Sequence, residues 1–99
     1  MKTEELRYCL YAHRFPNGKI YFGITSQNPK YRWKNGNGYS QSSRMKNALA
    51  KYGWDNVEHL ILATRMDKKK AEFQEIRMIR LFNTNNDKFG YNDCLGGFF

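Results

Sequence analysis

At 99 residues the chain has room for one domain with a modest core, and no apolar run approaches the roughly 20 residues that a membrane span needs. The opening Met1-Lys2-Thr3-Glu4-Glu5 has no apolar signal segment, so an intracellular location is the default expectation. Seventeen Lys and Arg against nine Asp and Glu leave a net charge of +8, which favours a polyanionic partner, nucleic acid ahead of an anionic membrane.

The first elements form a hairpin. Tyr8–Arg14 and Lys19–Thr25 are apolar-aromatic runs flanking Pro16-Asn17-Gly18, residues that favour a tight turn. Side chains alternate along a strand, so Leu10 and Ala12 share one face while Cys9, Tyr11 and His13 share the other. On the second strand Ile20, Phe22 and Ile24 oppose Tyr21, Gly23 and Thr25. If the aliphatic faces coincide, Tyr11 and Tyr21 stand together on an uncovered patch beside a glycine that leaves room for them. Tyrosine pairs on strands serve packing more often than chemistry, so the phenols alone decide nothing.

Asn28 caps a short helix from Pro29 to about Lys34, which carries Arg32 and Trp33, and Asn35-Gly36-Asn37-Gly38 breaks it. Ser42 or Ser43 caps a second helix that runs to about Tyr52 and stops at Gly53, with Met45, Ala48, Leu49 and Tyr52 as its buried stripe. Val57–Thr64 is a third strand, apolar enough to be central or well covered, with His59 packed on the sheet or at the surface. Asp67 caps the longest helix, about Lys68 to Asn83, whose opening lysines form a solvated face. A polar loop and a glycine-aromatic tail follow. With no repeats or linkers, the reading is one α+β domain: a small three-stranded antiparallel sheet flanked by about three helices, in β-β-α-α-β-α order.

The last helix carries a carboxylate out of place. At about 100° per residue, Ala71, Met78, Ile79 and Phe82 fall on one arc, and Glu75 falls in its middle. Desolvating a carboxylate there is costly unless it is protonated, paired or bound to a metal ion. The plainer alternative is a rim position paired with Arg32 or a lysine. Cys9 and Cys94 with His13 and His59 are too few and too scattered for a structural zinc site, and both thiols are expected to be reduced.

Tyr11, Tyr21-Phe22-Gly23, Arg32-Trp33, Lys51-Tyr52-Gly53, Glu75, Gly90-Tyr91-Asn92 and Gly96-Gly97, in that order, resemble the GIY-YIG nuclease superfamily over about residues 7–97. The flavour is that of small bacterial and phage proteins related to homing-endonuclease catalytic domains. The resemblance implies a metal-dependent endonuclease that hydrolyses phosphodiester bonds in DNA. Tyr11 would be the general base, Tyr21 would assist it, Arg32 would hold the phosphate and Asn92 would support the site. Glu75 would bind one Mg²⁺ or Mn²⁺ ion. Lys19, Lys30 and Lys34, with Arg32, form the expected DNA-binding set. The first motif reads Cys9-Leu10-Tyr11 in place of Gly-Ile-Tyr, and Gly36 stands where relatives place a histidine or tyrosine four residues after the arginine. His13 and Tyr39 are the two auxiliary candidates for that missing group. With no separate DNA-reading domain in view, the chain would be the catalytic portion of something longer, would cut with little sequence preference, or would take its specificity from a partner. The alternative function is a GIY-YIG-fold binding module that has lost turnover. A small basic RNA-binding domain unrelated to nucleases is a third, and it leaves Glu75 unexplained.

Overall fold

A computed structural model describes residues 6–93. The elements run β1 (Tyr8–Arg14), β2 (Ile20–Thr25), α1 (Pro29–Trp33), α2 (Ser43–Tyr52), β3 (Glu58–Met66) and α3 (Lys68–Phe82). Short 3₁₀ segments at Lys34–Tyr39 and Trp54–Asn56 complete the connections. Local chemistry accounts for the helix boundaries. Asn28, Ser42 and Asp67 each accept a backbone N–H of the first turn that they cap, at Lys30, Met45 and Lys70. Gly53 (φ 84°) and Asn83 (φ 55°) stop α2 and α3 with positive φ. Lys34–Tyr39 is kinked at Asn35 and Gly36, both of positive φ, so the predicted break after α1 becomes a compact turn.

The sheet is antiparallel with order β2-β1-β3. This corrects the expectation for the third strand: β1 is central and β3 is an edge. Leu60, Ile61 and Leu62 are more than a third exposed, because the run that reads as a buried strand has no further strand beside it. The strand is also longer than expected, with bulges opposite Leu10 and a left-handed Arg65 (φ 58°).

The two faces of β1 support two different layers. Leu10 packs with Met66 and Ala71, and Ala12 with Phe22 and Ile79, against α3. Cys9 and Tyr11 pack with Phe15, Trp33, Tyr39, Met45, Ala48 and Val57 from the α1–α2 side. The patch expected to be uncovered on the tyrosine face is therefore roofed. Tyr11 is 1% exposed, and only a cleft remains. Phe82, placed on the buried arc by the helical wheel, lies half-exposed against Phe22 at the end of α3. Cys9 is a buried free thiol, while Cys94 and the Gly96-Gly97 motif lie outside the described residues.

The outer edge of β2 is not left open. The Ile20 N–H donates to the Phe89 carbonyl (3.2 Å), and the Tyr91 N–H donates to the Ile20 carbonyl (3.1 Å). Gly90 fits there because it has no side chain: a Cβ would sit 2.3 Å from the Ile20 oxygen.

Candidate active site

The hairpin register sets the first part of the site. Tyr11 pairs with Gly23 and His13 with Tyr21 across β1 and β2, so the two phenols do share a face. A Cβ at position 23 would lie 2.5 Å from the Tyr11 hydroxyl and 2.6 Å from its ring carbon, so the missing side chain is the space that Tyr11 occupies. Gly23→Ala is therefore expected to displace the Tyr11 ring and lower any turnover that depends on it about 10²-fold, with the fold retained. Steady-state cleavage rates alongside circular dichroism would check this.

A cleft of about 390 Å³ opens beside β2. Tyr11, Tyr21, Arg32, Tyr39, Glu75 and Asn92 all line it, with Gly23 and Gly38 among the backbone positions. Glu75 comes from α3, the layer on the other side of the sheet. It is only 4% exposed, so it is buried in the cleft wall and does not sit at a rim. Arg32 projects from α1, donates to the Gly38 carbonyl (2.7 Å) and lays its guanidinium 4.7 Å from the centre of the Tyr39 ring. Its charge acts on the neighbouring Tyr11 hydroxyl.

Burial pushes the Tyr11 hydroxyl above its ordinary pKa, and the adjacent Arg32 charge pulls it back down. Burial likewise raises Tyr21 and Tyr39, with neighbouring phenols adding to it. For Arg32, burial works against the charge, yet the surrounding tyrosine oxygens hold its pKa above the ordinary value. The guanidinium is thus the fixed positive group of the cleft.

Asn92 holds a wall in place. Its Oδ1 accepts the Phe22 N–H (2.9 Å) and the Thr84 hydroxyl (2.8 Å), and its Nδ2 donates to the Phe22 carbonyl (2.8 Å). Arg44 donates to the Asn92 and Gly90 carbonyls and pairs with Asp87 (2.7 Å). Arg44 and Thr84 were missed in the sequence. The one available signal was a cation in the first turn of α2, where the helix dipole disfavours it and a partner elsewhere is implied. Thr84 carries no local signal.

Gly36 does not face the cleft. It packs under Trp54, 3.2 Å from a ring carbon if given a Cβ. Tyr39 and His13 lie on the site side instead, joined by a 2.6 Å hydrogen bond, with Tyr39 in the cleft wall and His13 fully buried behind it. Of the expected DNA-binding set only Arg32 lines the cleft. Lys30 and Lys34 flank a groove with Tyr31, Trp33, Trp54 and His59, and Lys19 stacks over Tyr91 (5.5 Å) at another concavity.

Among the described residues no three His, Cys, Asp or Glu side chains come together. The cleft lining carries the buried Glu75 carboxylate and the exposed Asp93 with hydroxyls, amides and the Arg32 guanidinium, and such an oxygen-donor set with room for water suits a hard divalent ion that keeps most of its water shell. It does not suit zinc, which takes nitrogen and sulfur ligands in a closed tetrahedron. Also among the described residues, no helix is long and apolar enough to cross a membrane.

In comparison with known proteins, residues 7–92 match the model of the GIY-YIG catalytic domain. No curated protein and no solved structure matches the chain.

Proposed function

We propose that this chain, which belongs to the GIY-YIG nuclease family, is a metal-dependent DNA endonuclease whose reaction takes place in the cleft between Tyr11 and Glu75. Membership carries nuclease function in general, and nucleases of this family are generally dependent on divalent metal. The observation that carries the specific reading is the convergence of the Tyr11 phenol, the Arg32 guanidinium and the buried Glu75 carboxylate, from β1, α1 and α3, on a single cleft.

Each residue then has a physical task. Arg32 faces the non-bridging phosphate oxygens with a charge that its tyrosine neighbours maintain. Tyr11 accepts a proton from the attacking water, and Arg32 offsets part of the burial that would keep the phenol protonated. Tyr21 and Tyr39 exclude bulk water from around that hydroxyl. Glu75 would hold the divalent ion, Mg²⁺ or Mn²⁺, which when bound would supply positive charge to the phosphate and to the leaving oxygen. Asn92 fixes the β2 backbone under the cleft and touches no reacting atom.

Conversion of supercoiled plasmid at low salt is the test. With Mg²⁺ or Mn²⁺ nicked product accumulates, with EDTA it does not, and Tyr11→Phe lowers the rate by about 10²-fold or more. Folded protein that retards DNA in a gel but cleaves under no metal would make this chain a binding module. Cleavage by Tyr11→Phe at the natural rate would remove Tyr11 from the chemistry.

A further inference from the structure

We propose that Tyr39, His13 and His59 are positioning residues that set which way the Tyr11 hydroxyl points, through a hydrogen-bond chain that reverses direction when His59 is protonated. The inference rests on the reading of Tyr11 as proton acceptor.

The chain starts at a group that can only accept. The Trp54 carbonyl lies 3.0 Å from His59 Nε2, so that nitrogen carries the hydrogen. In neutral His59 the other nitrogen, Nδ1, is then bare. It faces His13 Nδ1 at 2.9 Å, so His13 must carry its own hydrogen on Nδ1 and leave Nε2 bare. His13 Nε2 lies 2.6 Å from the Tyr39 hydroxyl, which must therefore donate to it. Tyr39 has spent its one hydrogen, so toward Tyr11, its neighbour in the same core cluster and cleft wall, it presents only a lone pair. Tyr11 thus turns its hydrogen to Tyr39 and keeps a lone pair for water in the cleft, beside the Arg32 charge. When this hydroxyl takes a proton from water, its own passes to Tyr39, that of Tyr39 to His13 Nε2 and that of His13 Nδ1 to His59 Nδ1, so the proton ends on His59 and every other group in the chain stays neutral.

Protonation of His59 reverses each link from His59 to Tyr11 and leaves its Nε2–H on the Trp54 carbonyl. Its Nδ1 now donates to His13 Nδ1, which moves the single His13 hydrogen to Nε2. Tyr39 accepts from His13 and turns its own hydrogen toward Tyr11. Tyr11 is then faced by the Tyr39 hydrogen and the Arg32 charge, and its own hydrogen has only the cleft to point into. Neither direction places a charge on His13, in keeping with its complete burial, which with the His59 and Arg32 charges lowers its pKa to about 3. The ring can change which nitrogen carries the hydrogen without becoming an imidazolium.

His59 is the group exposed enough to titrate. Burial lowers its pKa below the usual imidazole range, partly offset by the Trp54 carbonyl and Asp55. From the other elements it meets His13 on β1, and Lys30 and Lys34, which share its groove. On its own strand Glu58 is engaged by Arg14 at 2.7 Å. The ring also stacks on Trp54, centroids 3.8 Å apart, which fixes the orientation that the chain requires.

Long-range ¹⁵N–¹H spectra of the imidazoles in the full chain read the hydrogens directly. At about pH 8 the expected forms are Nε2–H for His59 and Nδ1–H for His13, and acidification through the His59 transition converts His13 to its neutral Nε2–H form. Cleavage by the natural protein should fall about tenfold per pH unit below that transition. In His59→Gln, whose amide donates to Trp54 and accepts from His13 without titrating, rates on either side of the same window should agree within about threefold. A His13 Nε2–H at the alkaline end, or a His13 ring unchanged when His59 protonates, overturns the proposal. So does an acid limb that persists unaltered in His59→Gln. The ring tautomers are read without any cleavage, so a failure of the nuclease reading, seen as wild-type rates in Tyr11→Phe, is separable from a failure of the chain.

Discussion

Glu75→Gln is expected to abolish cleavage, with a fall of about 10³-fold or more, while leaving DNA retardation and the unfolding temperature essentially unchanged. The magnitude follows from the several kcal/mol of transition-state charge stabilisation that a bound metal supplies, at about 1.4 kcal/mol per factor of ten. The retained stability follows from burial. Glu75 is 4% exposed on the face of α3 that also carries Ala71 and Ile79, and an amide of the same shape is cheaper to desolvate than a carboxylate. Plasmid nicking, gel retardation and thermal unfolding measured on one preparation separate the two effects. A variant that unfolds much earlier would make Glu75 a structural residue, and one that cleaves normally with Mg²⁺ would place the metal elsewhere.

Asn92→Ala is expected to act the other way, through stability first. Removing the amide orphans the buried Phe22 N–H and carbonyl and the fully buried Thr84 hydroxyl, each at about 1–3 kcal/mol before relaxation. A net loss of about 3 kcal/mol corresponds to a drop of roughly 15 °C or so in unfolding temperature for a domain of this size. Asn92→Asp gives the sharper control. It keeps an oxygen for Phe22 N–H and Thr84 but sets a second oxygen against the Phe22 carbonyl, so it should destabilise comparably, and more at neutral than at acid pH. Calorimetry on both variants checks the account, and near-natural stability in either would contradict the observed bonding.

Much of this fold was legible because it is local. The caps at Asn28, Ser42 and Asp67, the stop at Gly53 and the turn at Asn17-Gly18 each depend on a few neighbouring residues. Strand alternation placed Tyr11 and Tyr21 together, and the helical period placed Glu75 among buried residues. Position in the sheet was not legible. A run such as Leu60-Ile61-Leu62 reads as buried whether it pairs on one side or two, and only the long-range order puts it at an edge. The link from His59 through His13 to Tyr39 was equally hidden, since it joins residues 46 and 26 positions apart. His13 was visible only as a ring on the tyrosine face. The role of Arg44 emerges only once residues 87–92 are folded back against α2.

The return of residues 89–92 along β2 bears on how the protein fails as well as on how it works. With β2 sealed by Phe89, Tyr91 and the Asn92 amide, β3 is the one sheet edge left open among the described residues, and its bulges and the left-handed Arg65 spoil it as a template for adding strands. A change that loosens this segment exposes a second and flatter edge, rich in Ile20, Phe22 and Ile24. Such variants should be lost to self-association in a concentration-dependent way, so the residues that shape the cleft also guard solubility.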